Sequence, residues 1–120
     1  MPLIAALVSD LLFGSKVAAT ARAHGIEFRG VRSASAIASA DLQPDLLFID
    51  LEAEIPEGDP CAAIAAALAK TPRPKVVAFA GHLLVDRLEA AQRAGADLVL
   101  SRGGFSQRLE GLVRELAGER

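Results

Sequence analysis

Two aspartates carry the most reactive chemistry in this chain. Asp10 follows the apolar run Leu3 to Val8, and Asp50 closes the run Leu46-Leu47-Phe48-Ile49. Arg102 comes directly after Leu98-Val99-Leu100-Ser101. Two carboxylates brought together need a compensating cation, and Arg102 can supply it. Asp50 then reads either as a group that engages a ligand or as the fixed partner of Arg102 in an ion pair. Asp10 reads as a metal ligand or as a helix-end residue. Three further polar side chains stand at similar boundaries. They are Ser9 beside Asp10, His82 shortly after the run Val76 to Ala80, and Ser101 beside Arg102. Ala80 ends its run without a functional group. The segment from Asp50 to Asp59 also contains Glu52, Glu54 and Glu57. Such a run attracts a divalent ion or a basic partner, but more often forms a solvated loop.

Other chemistries are excluded by what is missing. A single cysteine, Cys61, rules out an internal disulfide framework and a cysteine-based zinc site. It opens an apolar helix face and reads as a small buried hydrophobe. His24 and His82 have no second His or Cys at ligand spacing. Ser9 and Ser15 have no nearby base, which argues against a hydrolase. Gly14-Ser15-Lys16 is not a phosphate-binding loop, because Ser9 stands where that motif needs its first glycine. The formal net charge of −2 excludes an overall basic field for nucleic acid. Arg22, Arg29 and Arg32 form a mild basic patch that reads as solvated surface. No apolar run reaches the ~18 residues of a membrane span. The start, Met1-Pro2-Leu3-Ile4, has no basic leader. The expectation is one cytoplasmic domain over 1–120, with no room for a second.

The elements that must position these side chains alternate along the whole chain. Strands are expected at Leu3 to Val8, Ile26 to Arg32, Leu46 to Ile49, Val76 to Ala80 and Leu98 to Leu100. Helices are expected at Gly14 to His24, Ser33 to Ala40, Pro60 to Lys70, Leu84 to Ala94 and from Phe105 onward. Gly25 and Gly95 are C-cap signals, and Asp59-Pro60 is a helix-start pair. The last helix shows an apolar stripe of Phe105, Leu109, Leu112, Val113 and Leu116. Five strand–helix units imply a parallel sheet with right-handed crossovers and helices on both faces. The first, third and fourth strands are apolar throughout, which suits strands covered on both sides; the second alternates, which suits an edge. The expected fold is therefore α/β, a flavodoxin-like doubly wound (βα)5 three-layer sandwich with strand order 2-1-3-4-5. Ligands bind such sheets at the carboxyl ends of the strands, where the order reverses. Asp10 and Asp50 should meet there, with Arg102 nearby.

These residues resemble the receiver domains of bacterial two-component response regulators. Pro44-Asp45-Leu46-Leu47-Phe48-Ile49-Asp50 is similar to the family's phospho-acceptor strand, with Asp50 at the acceptor position. Gly95-Ala96-Asp97-Leu98-Val99-Leu100-Ser101-Arg102 is similar to the stretch leading to the family's lysine, which puts Arg102 in its place. Ala80 falls where the family has a Thr or Ser, and Ser9-Asp10 where it has an acidic pair. The resemblance implies an aspartyl phosphate formed at Asp50. It also implies a Mg²⁺ held by Asp10, Asp50 and the backbone carbonyl of Glu52. The lysine would neutralise phosphoryl charge, and the hydroxyl would pull in a loop as a two-state switch.

The sequence departs from that pattern. Ser9 removes one carboxylate, Ala80 has no hydroxyl, and Arg102 is bulkier and planar. Gly103-Gly104 replaces the family's usual proline and should make a longer, looser loop. The chain therefore reads as an atypical, degenerate receiver, a stand-alone signalling module rather than an enzyme. Self-phosphorylation of Asp50 from a phosphodonor is the most catalysis it would perform. Its partner would be a kinase, an output protein or a second copy, met through the fourth helix, fifth strand and last helix. No nucleic acid or membrane partner is expected. The rival reading is a small-molecule or phosphate-ligand domain on the same scaffold. A cobalamin site is excluded because Leu12 stands where its histidine is required, and only Phe13 and Phe105 offer stacking for a flavin.

Overall fold

A computed structural model describes residues 2–118. Expectations that involve Met1 lie outside that range. The elements run β1 Leu3–Leu7, α1 Leu11–Ala23, β2 Glu27–Val31, α2 Ala34–Ala38, β3 Leu46–Asp50, α3 Cys61–Leu68, β4 Lys75–Ala80, α4 Val85–Ala94, β5 Leu98–Ser101 and α5 Arg102–Leu116. All strand pairings are parallel, and the order is β2-β1-β3-β4-β5. The expected fold class and topology are thus the observed ones. Every residue of β1 and β3 is buried, whereas β2 has no fully buried residue.

Two cores follow from the twofold repeat of strand side chains. On one face Leu47, Ile49, Val76 and Ala78 pack with Ile37, Ala63 and Ile64 of α2 and α3. On the other, Phe48, Val77 and Phe79 pack with Val17 and Ala21 of α1 and with Phe105, Leu109 and Val113 of α5. Alanines on the helices let them approach the sheet closely. Gly95 ends α4 at φ 104°, a left-handed conformation that a Cβ would strain, and that Cβ would also lie 2.7 Å from Leu68 Cδ1.

The bounds of three helices in particular differ from expectation. Helix α1 begins at Leu11 rather than Gly14, because Asp10 Oδ1 accepts the Leu12 and Phe13 N–H groups as an N-cap. Leu11 and Leu12 are 78% and 84% exposed, so the first turn leaves no amphipathic trace in the sequence. Helix α5 begins at Arg102 rather than Phe105. Gly103-Gly104 is therefore the first helical turn and not a looser loop. Ser101 Oγ accepts the Gly104 N–H at 3.0 Å, and a Cβ at Gly104 would crowd that oxygen at 3.1 Å. Helix α3 is shorter than expected at both ends, although Asp59 Oδ1 still accepts the Cys61 N–H at 2.9 Å.

Candidate functional site

β3 ends at the carboxyl edge of the sheet on Asp50, which is 3% exposed. Strand pairing sets Asp50 beside Phe79 of β4, and Ala80 of β4 beside Ser101 of β5. Arg102, the next residue, thereby starts α5 at the same edge. Its Nη2 donates to Asp50 Oδ1 at 3.4 Å and to Glu52 Oε2 at 3.1 Å. Asp50 Oδ1 also accepts the Glu52 N–H at 2.9 Å, and Glu52 Oε2 accepts the Gly81 N–H at 3.0 Å. One guanidinium therefore joins the ends of β3, β4 and β5. Beneath it lie aromatic faces: Arg102 Cζ is 5.3 Å from the Phe13 ring centroid and 5.6 Å from that of Phe79. A planar guanidinium fits this seat better than a lysine ammonium would. Phe105 stacks on Phe79 at 4.2 Å and meets Phe48 edge-on at 4.9 Å, fixing the aromatic floor.

The two carboxylates titrate in opposite senses. Burial pushes the Asp50 carboxyl above the ordinary aspartate value, against the opposing pull of the Glu52 N–H and of Arg102. The Gly81 N–H, followed by Arg102, holds Glu52 below the usual glutamate value. Arg102 thus stands between a carboxylate reluctant to ionise and one that ionises readily.

The other predicted residues are distributed as follows. Asp10 spends its carboxylate on the α1 cap and lines a groove between α1 and β2, with no hydrogen bond or ion pair to Asp50 or Arg102. Ser101 is the α5 N-cap. Ala80 is fully buried in the core. Ser9 and His82 are exposed in the loops after β1 and β4. Among the described residues, no group of three or more His, Cys, Asp or Glu is arranged to hold a metal ion. The residues present do not fit Mg²⁺: one expected ligand, Asp10, caps a helix, and the Arg102 guanidinium already stands against the Asp50 carboxylate, where the cation would sit.

The acidic loop is not simply solvated. Glu52 binds Gly81 and Arg102. Glu57 accepts the N–H groups of Ala34 and Ser35 at 3.0 and 3.1 Å, and Asp59 accepts the Cys61 N–H just ahead of α3. Sequence reasoning missed the Glu52 side chain as a partner of Arg102, having weighed it only within the acidic run and its carbonyl as a ligand. It also missed Phe13 and Phe79 as the seat for Arg102, and Arg87, whose Nη1 donates to the Leu51 carbonyl at 3.0 Å. The one available signal was Phe79, the residue before Ala80, placed beside Asp50 by the expected strand order.

No family model and no curated protein sequence matches the chain. Solved structures do match its fold. NtrX from Brucella abortus superposes with a TM-score of 0.79 at 22% identity, over 97% of this chain and 27% of NtrX. The chain therefore spans about a quarter of that protein's length. The isolated NtrX receiver domain gives 0.77 at 21% identity, over 98% of this chain and 99% of the domain. A putative response regulator from Chloroflexus aurantiacus gives 0.79 at 17% identity, over 99% of this chain and 100% of that one. The fold is that of response-regulator receiver domains.

Proposed function

We propose that this chain is a receiver-like signalling module of the two-component type, and that it acts in the cytoplasm by protein–protein contact. The observation that carries the reading is Arg102. On a receiver fold, the carboxylate at the acceptor position is buried and hydrogen-bonded to a guanidinium seated on two aromatic rings. Phosphoryl transfer to Asp50 requires an accessible carboxylate, whereas Asp50 is buried, and a cation that can follow the incoming charge. Here the cation is shared with Glu52, and Ala80 offers no hydroxyl to report a bound phosphate. The module is accordingly not an enzyme, and its signal is its surface.

The contact surface in this reading is made by α4, β5 and α5. Helix α4 fully buries only Ala91, and all four residues of β5 are partly exposed. Val85, at the start of α4, is 53% exposed. A kinase, an output protein or a second copy would dock there. The test is incubation with acetyl phosphate and Mg²⁺, followed by intact-mass analysis. The expected result is an unmodified mass. A stable phosphate mapped to Asp50 would replace this reading with that of a working receiver.

A further inference from the structure

The basic residues near β2 are exposed, as the solvated-surface reading expects, and two of them border a groove. Arg22 and Arg32 both line the groove between α1 and β2, whose volume is about 370 Å³. Arg22 lies in the last turn of α1 and Arg32 just past the end of β2. Because α1 runs back antiparallel to the strands, the two arginines frame opposite ends of the groove. Among the described residues, neither guanidinium has an ion-pair or hydrogen-bond partner. Asp10 is the one acid on the lining, and its carboxylate is already engaged by the two N–H groups of the α1 cap.

The walls between the arginines are unusually bare. Gly14 lies within helix α1 and Gly30 within strand β2, where glycine weakens both kinds of element. Neither has a positive φ, and a Cβ at either would meet nothing within 4 Å. Backbone geometry and packing therefore explain neither glycine. Both line the same groove, with Ala18 and Phe28 as further lining. Phe28, Gly30 and Arg32 fall at alternate positions and so share the sheet face that α1 covers. Beyond them, β2 is an edge strand with one side unpaired.

We propose that this groove binds a short extended segment of a partner protein, acidic at both ends and small or apolar between. Bare glycine walls admit another backbone, the free β2 edge offers it main-chain hydrogen bonds, and the two arginines pair with the terminal carboxylates. The surface is separate from the Asp50 site, so the proposal stands whether or not Asp50 accepts phosphate.

The test titrates the ¹⁵N-labelled protein with the peptide acetyl-Glu-Val-Ala-Ser-Val-Glu-amide. Its Gln-for-Glu counterpart and free glutarate serve as separate arms. Amide shifts should concentrate at Gly14, Ala18, Phe28 and Gly30. Arg22→Gln or Arg32→Gln should each weaken binding about tenfold, the scale of one charge-assisted contact, and the Gln peptide should bind more weakly still. Both arginines are exposed, so these variants keep the fold; Gly30→Leu fills the groove as an independent block. Absence of acidic-peptide binding overturns the proposal. So does shift at other sites, or affinity unchanged in both arginine variants. Glutarate binding as tightly as the peptide would instead mark a small-anion site and overturn the segment reading.

Discussion

The two ends of the sheet use the same chemical pair in opposite ways. At the amino end, Arg73 donates from Nη1 and Nη2 to the two oxygens of Asp97, both at 3.0 Å, and Asp97 also accepts the Val76 N–H at 2.7 Å. Burial opposes ionisation of Asp97, but the Arg73 fork and the Val76 N–H outweigh it and hold the carboxyl below its usual value. At the carboxyl end, Arg102 divides one nitrogen between Asp50 and Glu52, and burial wins at Asp50. The first arrangement fastens β5 to β4. The second leaves a carboxylate whose charge is only partly compensated. Geometry and burial decide the outcome, because the residue types are the same.

Removing the cation at the carboxyl end should have the largest effect on this contrast. Arg102→Ala leaves Asp50 buried with a single N–H partner and strips the cover from Phe13 and Phe79. Urea unfolding should show a loss of about 2 kcal/mol, and Arg102→Lys should recover only part of it. A loss within error would mean that the pair behaves as an ordinary surface contact.

The same Asp-to-Asn change should have opposite signs at the two ends. Asp97→Asn should destabilise by about 1 kcal/mol at pH 7, a figure already reduced for the partial exposure of the Arg73 pair. The Asp97 pKa is lower in the folded state, so its contribution is present above the unfolded value of about 3.9 and is lost as pH falls below it. Asp50→Asn should be the smallest effect, a gain of about 0.5–1 kcal/mol at pH 7. The Asp50 pKa is raised on folding, so the wild-type chain loses stability as pH rises from about 3.9 through the folded value. The gain from Asn should therefore vanish below about pH 4. Thermal melts at pH 3.5 and 7 measure both variants. Equal signs at pH 7 would dissolve the distinction between the two ends.

The strand order and the meeting of Asp50 with Arg102 were legible because burial and alternation are written directly in the side chains. Apolar runs marked the central strands, and the topology then fixed which residues share the carboxyl edge. Asp10 was legible as a candidate but not in its role. Its position allowed a ligand or a cap, and only the backbone of Leu11 to Phe13 decides for the cap. The start of α5 was hidden because two glycines read as loop, while the bond from the Gly104 N–H to Ser101 Oγ holds them in a helical turn. The roles of Glu57 and Glu52 were hidden for a different reason. Their partners lie 23 and 29 residues away, at distances no local pattern encodes.

The placement of β1 at the interior of the sheet bears on how the chain assembles as it leaves the ribosome. β1 emerges first and pairs with both β2 and β3. β4 then joins β3, and β5 joins β4, each new strand docking on the one made just before it. After the β2–β1–β3 nucleus forms, no later strand has to be inserted between two that already touch. The β3–β4 and β4–β5 closures each span one helix and its loops, whereas the β1–β3 closure spans α1, β2 and α2 and carries the larger loop entropy.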